Sequence, residues 1–278
     1  EKEKQYFDKD KLNNPYSDSR IYNGTGDEEI KTVLVGVDIE TPELLLLDRL
    51  REKGRSIDAA ITHHPEGRGL VNLYEVMTIQ ADVMHKMGVP INVAEHIMSG
   101  RMKEVSQGLL PVNYARAIDA AVLLDIPFVG AHTPADNCVA AYLQKKFDNK
   151  NPETISDIID LLLEIEEYKI SYKAGNGPKV VAGAKERRAG RIFVDMTGGT
   201  SGPIDALEKL AESGIGTIIG MHMSKDHIKA AEKNHLNVVI AGHMASDVIG
   251  LNILLDSIEK KSGNLDVIAC SGFTRVKR

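Results

Sequence analysis

Short runs of apolar, β-branched residues alternate with helix-length amphipathic segments along most of this 278-residue sequence. This alternation is typical of α/β proteins, in which helices connect the strands of a mainly parallel sheet. It predicts more strands than one sheet of ordinary size holds, so we expect two sheets. The predicted strands are residues 32–38, 58–62, 89–93, 128–131, 179–182, 191–195, 216–220, 237–241 and 266–269.

Helix start and stop signals fall between these runs. The clearest helix begins after Thr41 as N-cap, has Pro42 in its first turn and ends at Gly54. The other segments have similar start signals. The predicted helices are residues 42–53, 113–124, 152–167, 203–212, 224–234 and 246–260.

The composition of the chain limits its partners and its compartment. The sequence has 40 acidic and 34 basic residues and a net charge of -6, which disfavours nucleic acids and anionic membranes as partners. No apolar stretch approaches the roughly 20 residues that span a bilayer. Because Cys138 and Cys270 are the only cysteines, neither a disulfide framework nor a cysteine-based zinc site is expected. We therefore expect a cytoplasmic protein.

Five histidines directly follow predicted strands. His63 and His64 come after residues 59–62, and His132, His222 and His243 follow three later strands. The carboxyl ends of parallel strands open onto one edge of a sheet, where ligands bind. Four segments of the chain could therefore bring imidazoles to one crevice.

Two carboxylates accompany these histidines. Asp136 lies four residues after His132, and Asp247 lies four residues after His243. Residues four apart share one face of a helix. Imidazoles and carboxylates without thiolates suit Zn, Mn, Fe, Co or Ni, and a carboxylate can bridge two such ions. A single histidine at a strand end is more often structural, but the clustering favours a metal site.

Five motifs, in order along the chain, resemble the Nif-three-like family, whose members are also called GTP cyclohydrolase I type two homologues. The resemblance covers about residues 32–255. The motifs are residues 37–43 (VDIETPE), 60–65 (AITHHP), 131–136 (AHTPAD), 195–202 (DMTGGTSG) and 237–247 (NVVIAGHMASD).

The resemblance implies a two-lobed α/β fold with mixed, mainly parallel sheets flanked by helices. It implies residues 1–127 together with 245–278 as the first lobe, and residues 128–244 as the second. It also implies a homohexameric ring with a dinuclear metal site in a cleft that faces the central cavity.

The family motifs also imply the metal ligands, which are His63, His64, Asp136, His243 and Asp247. His63 and His243 would hold one divalent transition-metal ion, His64 and Asp136 the second, and Asp247 would bridge the two. Asp247 stands where the family usually has Glu, so its reach is shorter by one methylene. The stretch between His64 and Asp136 is predicted to hold an extra strand and helix that reshape the mouth of the cleft.

Two further histidines are candidates for catalytic proton transfer. His222 and His227 lie in one segment after a predicted strand, and an imidazole titrates near neutral pH. The glycine-rich turn at residues 198–202 could bind phosphate through its backbone N–H groups, or it could simply be a tight turn between a strand and a helix.

These observations lead to two functional hypotheses. The first is a dinuclear metal-dependent hydrolase, in which metal-activated water attacks an unidentified small molecule. The glycine-rich turn slightly favours a phosphorylated or nucleotide substrate. The alternative is a non-enzymatic, metal-binding hexameric scaffold or regulatory protein. A catalytic metal site keeps an open coordination position, whereas a purely structural site is closed.

Overall fold

The computed structural model describes residues 7–278, which form a layered α/β structure. The strands are β1 Arg20–Asn23, β2 Thr32–Gly36, β3 Ala59–Thr62, β4 Phe128–Gly130, β5 Lys179–Ala182, β6 Arg191–Asp195, β7 Ile215–Gly220, β8 Asn237–Ile240 and β9 Asp266–Ala269. The α-helices are α1 Thr41–Glu52, α2 Gly67–Val71, α3 Leu73–Val76, α4 Thr78–Lys86, α5 Ile91–Leu109, α6 Arg116–Leu123, α7 Thr133–Lys150, α8 Ile155–Leu163, α9 Glu166–Lys173, α10 Ala206–Glu212, α11 Lys225–Lys233 and α12 His243–Ser262.

The strands form two sheets, as the sequence predicts. The first has the order β1-β4-β3-β2-β9, and the second has the order β5-β8-β7-β6. Within each sheet the strands are parallel, except that β1 runs antiparallel to β4 and β5 runs antiparallel to β8. The predicted fold class, α/β with mixed and mainly parallel sheets flanked by helices, is therefore confirmed.

Helices cover both faces of both sheets. Helices α1 and α6 pack on one face of the first sheet, and α7 and α12 pack on its other face. The same two helices, with α8 and α9, cover one face of the second sheet, and α4, α5, α10 and α11 cover its opposite face. Helices α7 and α12 thus form a shared layer between the sheets.

Close packing of α7 against α12 depends on one glycine. Gly250 of α12 lies directly against the Ala135 carbonyl of α7, and a Cβ at this position would collide with that carbonyl. The close approach fixes the relative position of the first turns of both helices. Those turns carry Asp136 and Asp247, so the packing also determines the distance between two predicted metal ligands.

Three local predictions were wrong. Residues 89–93 were predicted as a strand, but Pro90 caps helix α5 there, because a short apolar run can belong to a buried helix as well as to a strand. The stretch between His64 and Asp136 holds helices α2–α6 and, apart from β4 at its end, no strand among the described residues. The predicted helix at 152–167 is two helices, α8 and α9, which meet at Glu164 and Ile165.

Further elements were missed outside that stretch. The 18-residue helix α7 lies where only the motif at its start was noted, and strand β1 lies in a segment for which no strand was predicted. The division into lobes stays a prediction. Strand β4 pairs within the first sheet, although residue 128 begins the predicted second lobe, and residue 244 falls in the first turn of α12. Among residues 7–278, no helix is long and apolar enough to cross a membrane.

Candidate metal centre

The carboxyl ends of strands from both sheets meet at one cleft. His63 and His64 follow β3, and His132 follows β4, all in the first sheet. His243 follows β8 of the second sheet and is the first residue of α12. Gly242, the residue before it, has a φ of 117°, a left-handed conformation that lets the helix begin immediately after the strand.

Every predicted metal ligand lies in this cleft, where imidazole Nε2 atoms and carboxylate oxygens approach one another. Nε2 of His63 is 3.4 Å from Asp136 Oδ1 and 3.4 Å from Asp247 Oδ1. Asp247 Oδ2 lies 3.6 Å from His64 Nε2 and 3.5 Å from His243 Nε2. Asp136 Oδ2 lies 3.7 Å from Nε2 of His132 in the preceding turn.

These separations suit ligands around a shared cation better than they suit direct hydrogen bonds. A hydrogen bond between nitrogen and oxygen has a length of about 2.7 to 3.2 Å. Two donors on one tetrahedral ion, with bonds of about 2.0 to 2.1 Å, lie about 3.4 Å apart. Two groups of three residues bring their donor atoms close enough to hold an ion. The groups are His63, His132 and Asp136, and His63, His64 and Asp247.

Four of the donor atoms are buried without a hydrogen-bond partner. They are His63 Nε2, Asp136 Oδ1 and both carboxylate oxygens of Asp247. The His63 side chain is 1% exposed and the Asp247 side chain is fully buried. Burying polar atoms without a partner is costly, and native structures contain few such groups. A cation between these atoms would satisfy all four, so the donor set fits a metal ion.

Hydrogen bonds on the far side of three imidazoles orient them toward the carboxylates. The Nδ1 atoms of His63, His64 and His132 lie 3.2 Å from the Ala131 carbonyl, 2.6 Å from Asp38 and 2.8 Å from Asp18 respectively. Since a carbonyl or carboxylate oxygen only accepts, each Nδ1 carries a proton, and Nε2 is the ring atom of each imidazole that is left to bind a metal ion. This arrangement is common around protein-bound metals, where outer partners fix the tautomer of ligand histidines.

Asp18 is the most enclosed of these outer partners. Its carboxylate accepts hydrogen bonds from Ser19 Oγ, Thr133 Oγ1 and His132 Nδ1. Burial alone would raise the pKa of Asp18, but the hydrogen bond and charge of His132 outweigh it and lower the pKa. The carboxylate therefore stays ionised and holds the ring of His132 in place.

Burial and the charges within the cluster shift the pKa values of three of its residues. Burial would lower the pKa of His63, but the negative charges of Asp247 and Asp136 hold that pKa well above its ordinary value. Burial would likewise raise the pKa of Asp247, but the neighbouring imidazoles lower it. His243 has a lowered pKa because of its burial and of the nearby His222, His64 and His63, although Asp247 opposes the shift.

The two predicted proton-transfer residues have different surroundings. The His222 ring stands edge-on to the His243 ring, with centroids 4.9 Å apart, so it lies beside the cluster. Both ring nitrogens of His227 have partners, since Nδ1 is 2.7 Å from Ser224 Oγ and Nε2 is 3.0 Å from the Gly202 carbonyl. His227 thus ties helix α11 to the glycine-rich turn.

A cavity opens directly onto the cluster. It holds roughly 970 Å³ of empty space, including the open solvent at its mouth, and Asp136, Asp247, His132 and His243 form one part of its wall. Helix α4, the glycine-rich turn and helix α10 form much of the remainder. The Gln80 side chain donates to the carbonyls of Gly198 and Thr200, both at 2.6 Å, and so holds that turn in shape.

Three residues of the centre were not among the predicted ligands and partners. His132 was noted at a strand end but not included among the ligands, although its spacing from Asp136 pointed to it. Asp38 follows strand β2 by two residues, so the strand-end argument could also have found it. Asp18 gave no comparable signal, because its partner His132 is 114 residues away in the sequence.

Comparison with solved structures gives several neighbours that match nearly the whole chain. A NIF3 superfamily protein from Sphaerobacter thermophilus is 27% identical, with a TM-score of 0.78 and coverage of 92% of this chain and 91% of the other. Reduced HcgD from Methanocaldococcus jannaschii is 18% identical, with a TM-score of 0.55 and coverage of 96% and 94%. Protein ybgI, described as of unknown function, is 16% identical, with a TM-score of 0.51 and coverage of 88% and 85%.

No protein-family model matches the sequence, and comparison with curated proteins gives no match. The structural likeness nevertheless extends over the full set of sheets and helices, and the Sphaerobacter protein adds likeness in sequence. The two more distant neighbours show the same fold. The resemblance predicted from the five motifs is thereby confirmed: the chain is similar to a NIF3 superfamily protein over nearly its whole length, in fold and in sequence.

Proposed function

We propose that this protein is a dinuclear metal-dependent hydrolase that acts on a small molecule bound in the cavity beside the cluster. The observation that carries the proposal is the set of buried, unpaired imidazole and carboxylate atoms that face one another at the cavity wall. Two divalent ions of the Zn, Fe, Mn, Co or Ni type suit this donor set, which contains nitrogen and oxygen and no sulfur.

The distances favour a particular division of the ligands. His63 Nε2 lies near Asp247 Oδ1 and near Asp136, which is itself close to His132. His64 and His243 lie near Oδ2 of Asp247. Asp247 would then bridge the two ions, as the family motif implies. The division differs from the implied one, because His63 lies next to Asp136 and His243 lies with His64 around Oδ2.

The substitution of Asp for the usual Glu is compatible with this arrangement. The two Asp247 oxygens already lie 3.4 to 3.6 Å from three imidazoles. The shorter side chain therefore reaches the position that a bridging ligand needs. We infer that the close packing of α7 against α12 at Gly250 compensates for the missing methylene.

The reaction would divide between the bound ions and the residues around them. When bound, such ions lower the pKa of a coordinated water toward neutrality and stabilise negative charge that develops on the substrate. Asp18 and Asp38 hold the imidazoles of His132 and His64 in position. His222 stands beside His243 on the cavity wall, where it can transfer a proton to or from the substrate.

The cavity favours the hydrolase over the alternative of a metal-binding scaffold or regulatory protein. A structural site is closed by its protein ligands, whereas a catalytic site remains accessible to substrate. Here Asp136, His243 and Asp247 line a cavity that is open to solvent, so a small molecule can reach the cluster. The same ligands would serve a scaffold, but a scaffold would not need this opening.

The proposal is tested by a hydrolysis screen of the metal-loaded protein against amides, esters, phosphoesters and nucleotides. We expect turnover of at least one class, lost after chelation and restored by adding the metal back. His222→Ala should lower kcat by about 10² or more without changing metal content. No turnover of any class at full metal occupancy would contradict the hydrolase.

A further inference from the structure

Asp195 lies in the same row of strand ends as the metal centre but outside it. It is the last residue of β6 and pairs with Gly220 of β7, the strand that precedes His222. β8, which precedes His243, is the next strand along the sheet. Asp195 lines the cavity that also contains Asp136 and Asp247. The cavity thus has a carboxylate on its wall in addition to those of the metal cluster.

The Asp195 carboxylate has no hydrogen-bond donor among residues 7–278, and the charge nearest to it is that of His227. Both nitrogens of that imidazole are already engaged by Ser224 and Gly202. The side chain is exposed toward the cavity, and desolvation by the surrounding protein raises its pKa to about 6 against the opposing influence of His227. At neutral pH it is therefore an ionised group without a partner.

The cavity wall next to Asp195 is apolar and lacks positive charge. Met84, Phe193, Leu207 and Leu210 are buried in the core and contribute to the wall. No lysine or arginine of the described chain lines the cavity. Arg101, which is close to the glycine-rich turn, donates to the Ser201 carbonyl at 2.9 Å and pairs with Glu104.

The part of the cavity around Asp195 disfavours a phosphate group. There a phosphate would meet an ionised carboxylate and no lysine or arginine, so any attraction of a phosphate to this cavity would come from the ions at the metal cluster. A protonated nitrogen would instead meet a carboxylate that lacks any other partner, and charge-assisted hydrogen bonds of this kind are among the stronger ones in proteins. The body of the ligand would pack against the apolar wall.

We propose that Asp195 is a substrate-binding residue, which selects molecules with a cationic nitrogen group, such as an amine or amidine, attached to an apolar or aromatic body. The substrate assignment rests on the proposed hydrolase, in which the scissile group would lie at the metal cluster. Binding at Asp195 itself does not depend on catalysis and can be measured separately.

The test uses three planar probes of nearly the same shape and different charge: benzamidinium, benzamide and benzoate. Their affinities for the purified, metal-loaded protein are measured by isothermal titration calorimetry. We expect benzamidinium to bind about tenfold or more tightly than benzamide. Benzoate reports carboxylate binding at the metal ions, which the Asp195 variants should leave unchanged. Equal affinity for benzamidinium and benzamide would overturn the proposal without any variant.

Asp195→Asn removes the charge and keeps the shape, so the preference for benzamidinium should fall to within about twofold of benzamide. The matched control is Asp205→Asn, an exposed aspartate outside the cavity, which should keep the wild-type preference. Metal content and circular dichroism of each variant establish that the fold and the cluster are intact. If Asp195→Asn folds poorly, Asp195→Ala takes its place. A preference that survives the loss of the carboxylate would refute the assignment.

The outcome is independent of the hydrolysis screen. Benzamidinium and benzoate contain no bond that the screen tests, benzamide is checked for hydrolysis before it is titrated, and metal content is measured in its own assay. Failure of benzamidinium binding would remove Asp195 as a selectivity residue and leave the hydrolase standing. A failed hydrolysis screen with intact benzamidinium binding would instead leave a cation-selective binding site beside a metal cluster.

Discussion

At the level of single residues, His63 determines how the metal-free protein responds to pH. A proton and a metal ion compete for the Nε2 lone pair of its imidazole. Burial lowers its pKa, but Asp247 and Asp136 outweigh that effect and hold the pKa well above the ordinary value. The proton must leave before an ion binds, so metal affinity should increase with pH.

The predicted result is a zinc affinity at least about tenfold higher at pH 8 than at pH 6, measured by competition with a chromophoric chelator. Release of protons on binding can be confirmed in weakly buffered solution. An affinity that does not change with pH would show that the metal ion does not displace a proton from Nε2 of His63.

Asp195 should make the folded protein less stable as the pH rises, because its pKa is higher in the folded state than in the unfolded state. Its pKa is raised from 3.8 to about 6 in the folded protein. Between about pH 4 and pH 6 the folded state keeps this proton and the unfolded state loses it, so stability falls as the pH rises through that window. Above about pH 6 the loss is complete.

Asp195→Asn removes this penalty, so the variant should be more stable than the wild type at pH 7.5, by about 1 kcal/mol after allowance for the openness of the side chain to solvent. The difference should vanish near pH 4. Chemical denaturation at both pH values measures it, with Asp205→Asn as the control. A variant that is less stable at pH 7.5 would indicate a structural role for the carboxylate.

Sequence reasoning found the residues of the His/Asp cluster because their positions follow from local patterns. His63, His64 and His243 directly follow apolar strands, and Asp247 is placed by helical spacing from His243. The outer partners Asp18 and Asp38 could not be assigned in the same way, because their role depends on contacts across the fold. His227 had the residue type and position of a proton donor, but its engaged nitrogens are apparent only in three dimensions.

At the level of elements, the crossing of α7 and α12 couples the fold to the metal centre. Gly250→Val would drive a side chain into the Ala135 carbonyl and separate the helix turns that carry Asp136 and Asp247. We expect a loss of about 1 to 3 kcal/mol in the free energy of unfolding, together with reduced metal content. Thermal denaturation and elemental analysis provide the two measurements.

The control for this variant is Gly108→Ala, in helix α5, where an added Cβ would meet open space. It should be neutral or slightly stabilising, since Gly in a helix interior costs about 0.5 to 1 kcal/mol relative to Ala. If Gly250→Val kept both full stability and full metal content, the proposed coupling between helix packing and the centre would be wrong.

The elements that sequence patterns predicted well are the short strands of the parallel sheets. β-branched runs such as those of β6, β7 and β8 are bounded by clear turns. The helices between them were harder to predict. Helix α7 packs on both sheets and so has apolar residues around much of its circumference, which removes the one-sided periodicity that marks an amphipathic helix.

At the level of the whole molecule, two sheets place their strand ends around one cleft. The first sheet supplies His63, His64 and His132, and the second supplies Asp195 and His243. Asp136 follows the first sheet and Asp247 follows the second, so neither sheet alone carries the whole cluster. The long-range pairing explains why the site residues are far apart in sequence, and why the predicted two-sheet architecture was needed to bring them together.

The ring assembly stays a prediction from family resemblance. Light scattering coupled to gel filtration should give a mass near six times the 30.4 kDa of one chain. The result should not depend on protein concentration in the micromolar range. A mass of one or two chains under these conditions would contradict the hexamer and leave the proposed metal centre standing, since the residues proposed as its ligands all belong to one chain.

The most direct test of the central claim is the number of metal ions per chain. The protein is purified without chelator or a histidine tag and analysed by elemental mass spectrometry, beside Asp247→Asn and the exposed-surface control Asp160→Asn. The account predicts about two transition-metal ions per chain in the wild type and the control. It predicts loss of both ions in Asp247→Asn, since one carboxylate faces His63, His64 and His243. Substoichiometric metal that resists reconstitution, or full metal in Asp247→Asn, would contradict the dinuclear centre.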